Sequence, residues 1–306
     1  MWFRNLQIYR LNQSLDQTPE QLHEQLQGDA FRGCGSLEEY SIGWERPLGR
    51  HGHQLTHGAN GYTMVCARKE EKVLPASVVR EILNEKVEAI ETEQMRRVPR
   101  RERLDMRDEI LLDLLPKAFT RSAYTYAYLA PGEGWLVVDA ATANKAEALL
   151  GLLRKSLGTL AVTPLSVETS PAAVMTGWVQ GQGLPGDIAL GEECELRDPS
   201  EEGGIVRCRR QDLSGEEIQT HLQAGKQVVR LALEWNERLA CILGDDLAVR
   251  RLRFLDGVQE EASEVEADDA AARFDADFAL MTLELARFIP RLLAVFDGEV
   301  GEAAAA

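Results

Sequence analysis

The segment from residue 75 to residue 117 constrains the fold more than any other, because prolines divide it into two helical stretches. Pro75 opens the first stretch, Pro99 interrupts the pattern, and Pro116 ends the second. Proline lacks a backbone N–H and disfavours helix in the residue before it, so one continuous helix is excluded. Apolar residues recur at helical spacing on both sides of the break. They are Val78, Val79, Ile82, Leu83, Val87 and Ile90, then Leu104, Ile110, Leu111, Leu114 and Leu115. We predict an antiparallel helical hairpin that projects from the body as a finger.

The remaining chain shows strands and a few helices without the regular alternation that a parallel sheet requires. Strand patterns cover 2–11, 61–74, 122–130, 134–140, 160–167, 187–196, 204–209, 226–235, 238–243 and 249–255. Helices are predicted from a capping box at Thr18, from Asn144, from Ser170, from Ser214, and over 270–296. The sequence between the first helix and residue 60 and the acidic segment 256–269 indicate loops. This pattern favours an α+β fold of long antiparallel strands with flanking helices and an inserted helical-hairpin finger.

A division into three parts follows from this order of elements. Residues 1–74 and 118–168 are expected to form a central α+β domain, interrupted by the finger at 75–117. Residues 169–306 are expected to form a second α+β domain that ends in the long helix. A chain of 306 residues is long enough for two or three compact units.

The distribution of charge matters more than the net charge of −16. Twelve acids and three arginines lie between Val258 and Ala306, so this segment alone carries −9. A polyanionic partner stays compatible with the chain if its basic residues are segregated, since attraction depends on where charges sit.

The cysteines and the absence of long apolar runs indicate the compartment. Five cysteines, an odd number, lie far apart without a CxxC pair, at positions 34, 66, 194, 208 and 241. This spacing disfavours a disulfide framework and favours a reducing cytoplasm. No apolar run approaches the ~20 residues that cross a bilayer, so no membrane partner is expected.

The strongest basic cluster lies at the predicted turn of the hairpin. Six arginines and two acids stand between residues 96 and 107, a local charge of +4. The arginines are Arg96, Arg97, Arg100, Arg101, Arg103 and Arg107. Guanidinium groups at a fingertip can hold phosphates bidentately. The alternative is a solvated turn whose arginines form ion pairs within the helices. No aromatic residue interleaves the cluster, which favours backbone contact over base stacking.

Three weaker basic clusters follow. Arg207 and Arg209 precede the helix predicted from Ser214 and could contact phosphate or a second subunit. Their alternative role is a charged strand edge that discourages aggregation. Glu70 and Glu71 dilute a third cluster, made of Arg68, Lys69 and Lys72. A fourth consists of Arg250, Arg251 and Arg253, of which residues 251 and 253 share one strand face.

Two groups of potential metal ligands have structural roles as alternatives. His51, His53 and His57, with Cys66, do not match a strong zinc pattern. The acids Asp268, Asp269, Asp275 and Asp277 suggest a metal-dependent nuclease, but an apolar stripe of Phe274, Phe278, Met281 and Leu285 runs through the same segment. Acids at a helix start need no metal. A Walker A loop is absent. We therefore expect no metal, no cofactor and no catalytic residue.

Several motifs resemble the RdgC family in the same order along essentially the whole chain. They are WFRNLQIYRL, ANGYTMVCARKEEKVLP, LLPKAF, AEALLGLLRKSLGTLAVTPLS, RRQDLS and RFDADFALMTLELA. The resemblance implies a ring-shaped homodimer that encircles double-stranded DNA with little sequence preference, with single-stranded DNA as a further ligand. It also implies restraint of the RecA recombinase in the cytoplasm, at the nucleoid.

The resemblance assigns two ring-closing contacts. Phe119, in LLPKAF, would be an apolar plug at one interface, and Arg210 and Gln211, in RRQDLS, would belong to the other. Two other functions stay open from the residues: a metal-dependent nuclease, and a protein-interaction module that contacts RecA directly.

Overall fold

A computed structural model describes residues 1–15, 17–200, 203–264 and 269–300, and its first sheet is entirely antiparallel. The strands are β1 (Gln7–Leu11), β2 (Tyr40–Glu45), β3 (Thr56–Ala59), β4 (Tyr62–Val73), β5 (Phe119–Ala130), β6 (Trp135–Val138) and β7 (Val162–Pro164). Their order is β2-β4-β5-β6-β1-β7, and β3 also pairs with β4. The long β4–β5 ribbon runs from Thr63 opposite Leu129 to Val73 opposite Phe119.

The second sheet is also antiparallel and has the order β12-β11-β10-β8-β9. Its strands are β8 (Ile188–Arg197), β9 (Ile205–Arg209), β10 (Gln227–Trp235), β11 (Leu239–Gly244) and β12 (Val249–Phe254). Bulges interrupt the pairing of β10 with β8 and of β11 with β12. Such bulges bend a sheet and redirect side chains.

The described helices are α1 (Pro19–Leu26), α2 (Ala76–Gln94), α3 (Arg100–Leu114), α4 (Ala143–Leu157), α5 (Pro171–Val179), α6 (Glu216–Gln223), α7 (Asp256–Glu264) and α8 (Ala270–Ala294). Two of them, α1 and α8, begin at a side chain that caps their first turn. The capping box of Thr18 and Gln21 is confirmed. Gly158 closes α4 at a φ of 78°, and Asp269 caps α8. Within the described residues, no helix is both long and apolar enough to span a membrane.

Helices α2 and α3 occupy the segment between the paired strands β4 and β5, as the prolines predict. They lie side by side, with Lys86 Nζ of α2 3.8 Å from Glu109 Oε2 of α3. Between them, the Val98 N–H donates to Glu91 Oε1 at 2.9 Å. The two helices are confirmed, whereas their projection as a finger stays a prediction.

Two apolar cores hold the sheets together. One packs α1 and α4 against the first sheet and includes Trp44, Leu136 and Leu150. The other is larger and joins Phe3, Met64 and Tyr128 of the first half to α5, α8 and the second sheet. In α8 the predicted stripe is confirmed, since Phe278, Met281 and Leu285 are fully buried and Phe274 packs against them.

Three local predictions were wrong. The region between the first helix and residue 60 contains β2 and β3 instead of loop. Position 43 in β2 requires glycine for a steric reason, because a Cβ there would lie 2.5 Å from Phe31 Cα. A glycine inside a strand can therefore mark a close backbone approach.

The acidic segment contains α7, whose Val258 and Ala262, four residues apart, are both buried. Helix α6 has Gly215 as its N-cap, since Ser214 Oγ donates to Asp212 Oδ1 instead of capping.

The mixed architecture of antiparallel sheets and helices agrees with the predicted fold class. The division into 1–74 with 118–168, 75–117 and 169–306 stays a prediction, as does the ring-shaped homodimer.

Candidate nucleic-acid interface

The turn of the helical hairpin collects the arginines of the first basic cluster. Helix α2 ends at Gln94, Met95 adopts a left-handed conformation with a φ of 50°, and α3 begins after Pro99. Arg96 is held within the hairpin, because its two Nη atoms donate to Glu102 at 2.7 Å and its Nε donates to Gln94 at 2.7 Å. Arg96 therefore forms an ion pair within the hairpin, as the alternative to a phosphate role predicts.

The other arginines at this turn are differently placed. Four of them are exposed and form no ion pair or side-chain hydrogen bond with any described residue: Arg97, Arg100, Arg101 and Arg103. Arg107 lies further along α3, with its Nε 3.5 Å from Asp108 Oδ1. Four uncompensated guanidinium groups within seven positions make the turn a strongly positive surface. We call it the tip cluster.

The second sheet brings together the second and fourth basic clusters, which are far apart in sequence. Arg207 and Arg209 on the edge strand β9 face Glu195 and Glu193 on β8, with Nε–Oε distances of 2.8 and 3.2 Å. Arg251 on β12 reaches the same Glu193 with a 2.8 Å contact.

Two further arginines complete this group. Arg230 on β10 lies opposite Glu195, at 3.5 Å, and Arg250 on β12 pairs with Asp246 at 2.5 Å. A cavity of about 330 Å³ lies between these side chains. We call it the arginine pocket. Its five arginines are Arg207, Arg209, Arg230, Arg250 and Arg251. Arg253, the last member of the fourth cluster, is exposed on β12 outside the pocket lining.

Glu195 is the buried centre of this network, with only 5% of its surface exposed. Burial raises the pKa of its carboxyl, but the hydrogen bond from Arg207 and the charges of Arg230 and Arg197 outweigh burial and hold that pKa below its usual value. Glu195 is therefore ionised at neutral pH and fixes the arginines around it.

The third basic cluster is largely neutralised by its own strand. Arg68 contacts Glu45 at 3.3 Å and Glu70 at 3.6 Å, and its guanidinium stacks on the ring of Phe31 at 4.1 Å. Lys69 pairs with Glu71 at 3.4 Å. Lys72, opposite Thr120 in the β4–β5 ribbon, completes the cluster. A role for Arg68, Lys69 and Lys72 in binding stays a prediction, with less geometric support than for the tip cluster.

The residues predicted for subunit contacts lie at two different places. Phe119 begins β5 opposite Val73, and 86% of its surface is exposed. Arg210 follows β9 in a left-handed conformation with a φ of 52°, and Gln211 Nε2 donates to Glu217 Oε2 at 3.3 Å. Both interfaces stay predictions.

The potential metal ligands are dispersed. His57 packs edge-on against Phe274, and its Nε2 lies 3.1 Å from Asp275 Oδ1. Burial lowers the pKa of His57 despite the neighbouring carboxylate. Burial also raises the pKa of Cys66 to about 12, which disfavours the thiolate. His51 interacts with Arg50, and His53 is exposed.

The acids of the nuclease hypothesis have structural partners where they are described. Asp269 accepts from the N–H groups of Ala271 and Ala272, both at 2.9 Å. Asp277 pairs with the amino group of Met1 at 2.5 Å. Asp268 lies outside the described residues. Among the residues that the structure covers, no three His, Cys, Asp or Glu side chains are grouped so that they could hold a metal ion.

Sequence reasoning missed Arg230, Glu193 and Glu195. A signal was present in the spacing, because Glu193 and Glu195 on β8 and Arg207 and Arg209 on β9 each stand two residues apart. Such pairs share one face of a strand, and opposite charges on adjacent strands pair across the ladder. The participation of Arg230 depends on the order of the strands, which local patterns do not contain.

Comparison with known proteins identifies the family. The family described as "Putative exonuclease, RdgC" matches residues 1–299. The chain is 50% identical to the recombination-associated protein RdgC of Aeromonas hydrophila, over 98% of this chain and 99% of that protein. It is 45% identical to the protein of the same name from Tolumonas auensis, over 99% and 100%, and 48% identical to that of Pseudomonas aeruginosa, over 98% of both chains. The chain therefore belongs to the RdgC family.

Proposed function

We propose that this protein binds double-stranded DNA without sequence preference, as a homodimeric ring, and thereby restrains RecA-mediated recombination at the nucleoid. The observation that carries the proposal is the tip cluster, whose four exposed arginines have no anionic partner among the described residues. Arginine holds phosphate oxygens bidentately, and phosphate contacts carry no sequence information. The names of the relatives associate them with recombination, which agrees with a DNA ligand.

The salt dependence of binding tests the proposal. A triple variant, Arg97→Ala with Arg100→Ala and Arg101→Ala, should weaken binding to duplexes of every sequence alike. The slope of log affinity against log salt should fall by about 0.9 for each phosphate that the variant no longer neutralises. Fluorescence anisotropy with two unrelated duplexes of equal length would measure both quantities.

Two controls belong to this experiment. Arg96→Ala with Glu102→Ala removes an ion pair without changing the net charge, so its effect should be smaller than that of Arg97→Ala. Arg154→Ala with Arg273→Ala removes exposed arginines outside the basic clusters. Equal reductions of affinity in the tip variant and in this control would contradict a specific role of the tip cluster.

A nuclease is a second candidate, because the description of the matching family contains the word exonuclease. Circular and linear duplex DNA incubated with Mg²⁺ or Mn²⁺ separates the two functions. Shortening of the linear duplex supports an exonuclease, and nicking of the circle supports an endonuclease. Intact DNA of both forms supports a binding protein without catalytic residues.

A direct contact with RecA is tested by competition. If the protein restrains RecA by occupying DNA, an excess of DNA should relieve the inhibition of strand exchange. Inhibition that persists in excess DNA would instead support a protein-interaction module.

A further inference from the structure

We propose that the arginine pocket of the second sheet binds a phosphate group, and that the DNA backbone supplies it. This inference rests on the proposed function and adds a second phosphate site, on a different element from the tip cluster. The pocket joins residues of four strands, β8, β9, β10 and β12.

The pocket is a recess over one face of the second sheet that side chains of several strands enclose. Arg251 on β12 contacts Glu193 on β8 at 2.8 Å, although β11 and β10 lie between these strands. Adjacent strands are ~4.8 Å apart, so β12 and β8 would be ~14 Å apart in a flat sheet. An arginine and a glutamate side chain together are long enough to span this distance, so the Arg251–Glu193 contact passes over β11 and β10 and encloses one side of the pocket. Concave surfaces focus the field of the charges that line them.

Two local features of the backbone direct the side chains of β12 into this face. Arg251 has a φ of 51°, an unfavourable left-handed conformation, at the extra residue of the bulge between β11 and β12. Gly244 lies beneath the ion pair of Asp246 and Arg250, and a Cβ there would collide with Asp246 Oδ1 and Arg250 Nη1. With the bulge at Arg251 and no Cβ at Gly244, two consecutive residues of β12, Arg250 and Arg251, both line the pocket.

The carboxylates in the pocket orient the arginines without neutralising them. Five arginines and two glutamates line the cavity, a net charge of +3. Arg197, Asp245 and Asp246 flank it and lower this value to +2. Arg207 and Arg209 each donate through Nε to a glutamate, so their terminal Nη groups are available to a ligand. These are the donors that hold phosphate bidentately.

The excess of positive charge identifies the class of ligand. Like charges gathered in one recess repel one another unless an anion lies between them. A phosphate group matches the several N–H donors, and a cavity of about 330 Å³ is large enough to admit it. The exposure of Arg207, Arg209 and Arg251, each about 60%, leaves the pocket open to a long polymer.

The variant Arg209→Gln with Arg251→Gln tests the proposal. Both residues pair with Glu193, which is partly exposed, so the buried Glu195 keeps Arg207 and Arg230. The charge-matched control is Arg154→Gln with Arg273→Gln. Duplex binding is measured against salt by anisotropy, and inorganic phosphate is tested by its effect on the melting temperature of each protein.

The proposal expects the pocket variant to bind duplex DNA about ten- to a hundredfold more weakly at 0.1 M salt, with a salt slope lower by about 1–2. The control should bind like the wild type. A pocket variant with wild-type affinity and salt slope would overturn the proposal. If the wild type itself fails to bind DNA, the proposed function fails instead.

The measurement with inorganic phosphate distinguishes a free phosphate from the DNA backbone as the ligand of the pocket. If inorganic phosphate stabilises the wild type and the control but not the pocket variant, the pocket binds phosphate by itself. If DNA binding alone depends on the pocket, the backbone is the source. If inorganic phosphate acts through the pocket while DNA binding does not depend on it, the assignment to DNA is overturned. Circular dichroism of the variant checks that its fold is retained.

Discussion

Among single residues, Glu284 carries the most deeply buried carboxylate of the described chain, and Arg238 compensates it. Glu284 in α8 has 1% of its surface exposed, and Arg238 donates to it through Nε at 2.7 Å and through Nη2 at 2.8 Å. Arg238 also pairs with Glu261 of α7, and these acids raise its pKa. The network joins the β10–β11 turn to both C-terminal helices.

Removal of this arginine should be severely destabilising. Arg238→Met leaves Glu284 buried without its main partner, so the free energy of unfolding should fall by about 3–5 kcal/mol. Urea denaturation measures this change. Arg287→Met is the matched control, because Arg287 is 58% exposed and lies 3.4 Å from Glu284. Its cost should stay below about 1 kcal/mol. Equal costs would show that Arg238 has no special role.

The hydrogen bonds of Asp187 predict that part of the free energy of unfolding depends on pH in the acidic range. It accepts from Arg291 Nε at 2.8 Å and from Trp235 Nε1 at 3.0 Å, and the bond from Arg291 is the main reason why its pKa is lowered to about 2. An unfolded aspartate has a pKa of about 3.9. The contribution is therefore present above pH ~4 and is lost as the pH falls towards ~2.

The variant Asp187→Asn should lack this part of the acid dependence. At pH 7 it should be less stable than the wild type by about 1 kcal/mol, and the difference should shrink between pH 4 and pH 2. Denaturant titrations across this range provide the measurement. Asp105→Asn, at an exposed position in α3, should follow the wild type throughout. A constant difference between Asp187→Asn and wild type would contradict the pKa argument.

At the scale of elements, the hairpin shows both the value and the limit of local patterns. Proline placement and apolar spacing predicted α2 and α3, because these signals act within a few residues. The residue after α2 is unusual, because helices commonly end with a glycine in the left-handed conformation and here Met95 adopts it. The side chain of Met95 has 92% of its surface exposed.

Met95→Gly should therefore stabilise the hairpin. Glycine adopts this conformation without a Cβ penalty, so the local free energy of opening should rise by about 0.5–1 kcal/mol. Hydrogen exchange of the amides in α2 and α3 would report it. Met95→Ala keeps the penalty and serves as the control. A similar gain in both variants would show that the exposed side chain, and not the backbone, is responsible.

Some elements could not be predicted from local sequence. Helix α7 buries only Val258 and Ala262 among its described residues, with acidic neighbours, so its amphipathic pattern is too sparse to detect. Strand β2 contains Gly43, where the backbone of Phe31 lies too close to leave room for a Cβ. In both cases the partner that stabilises the element lies elsewhere in the fold, and tertiary contacts override local propensity.

At the scale of the whole molecule, the larger core joins the N-terminal residues to α8 and the second sheet. Phe3 and Leu6 are fully buried in it, and Leu6 bridges to Val249 of β12. Phe119 stands apart from this core. An aromatic ring with 86% exposure adds nothing to the packing of one chain, which supports its proposed place at a subunit interface.

Phe119→Ser should therefore weaken association without changing the fold. Loss of a buried aromatic ring from an interface should cost about 2–3 kcal/mol of association free energy. Sedimentation velocity over a range of concentrations would detect the shift from dimer to monomer. Leu283→Ser, at an apolar position of α8 that is 46% exposed, is the control. Unchanged association of Phe119→Ser would contradict the proposed plug.

By itself, the sequence determined the features that depend on near neighbours. These are the hairpin with its arginine-rich turn, the caps at Thr18 and Gly158, and the stripe of α8. The tertiary structure alone decided which arginines are free and which are paired. Arg96 and Arg97 are adjacent, yet Glu102 holds only the first. Arg207 and Arg251 are far apart in sequence, yet the order of the strands in the second sheet places both in one pocket with Glu193 and Glu195. Electrostatic pairing depends on distances in space, which the order and register of the strands set.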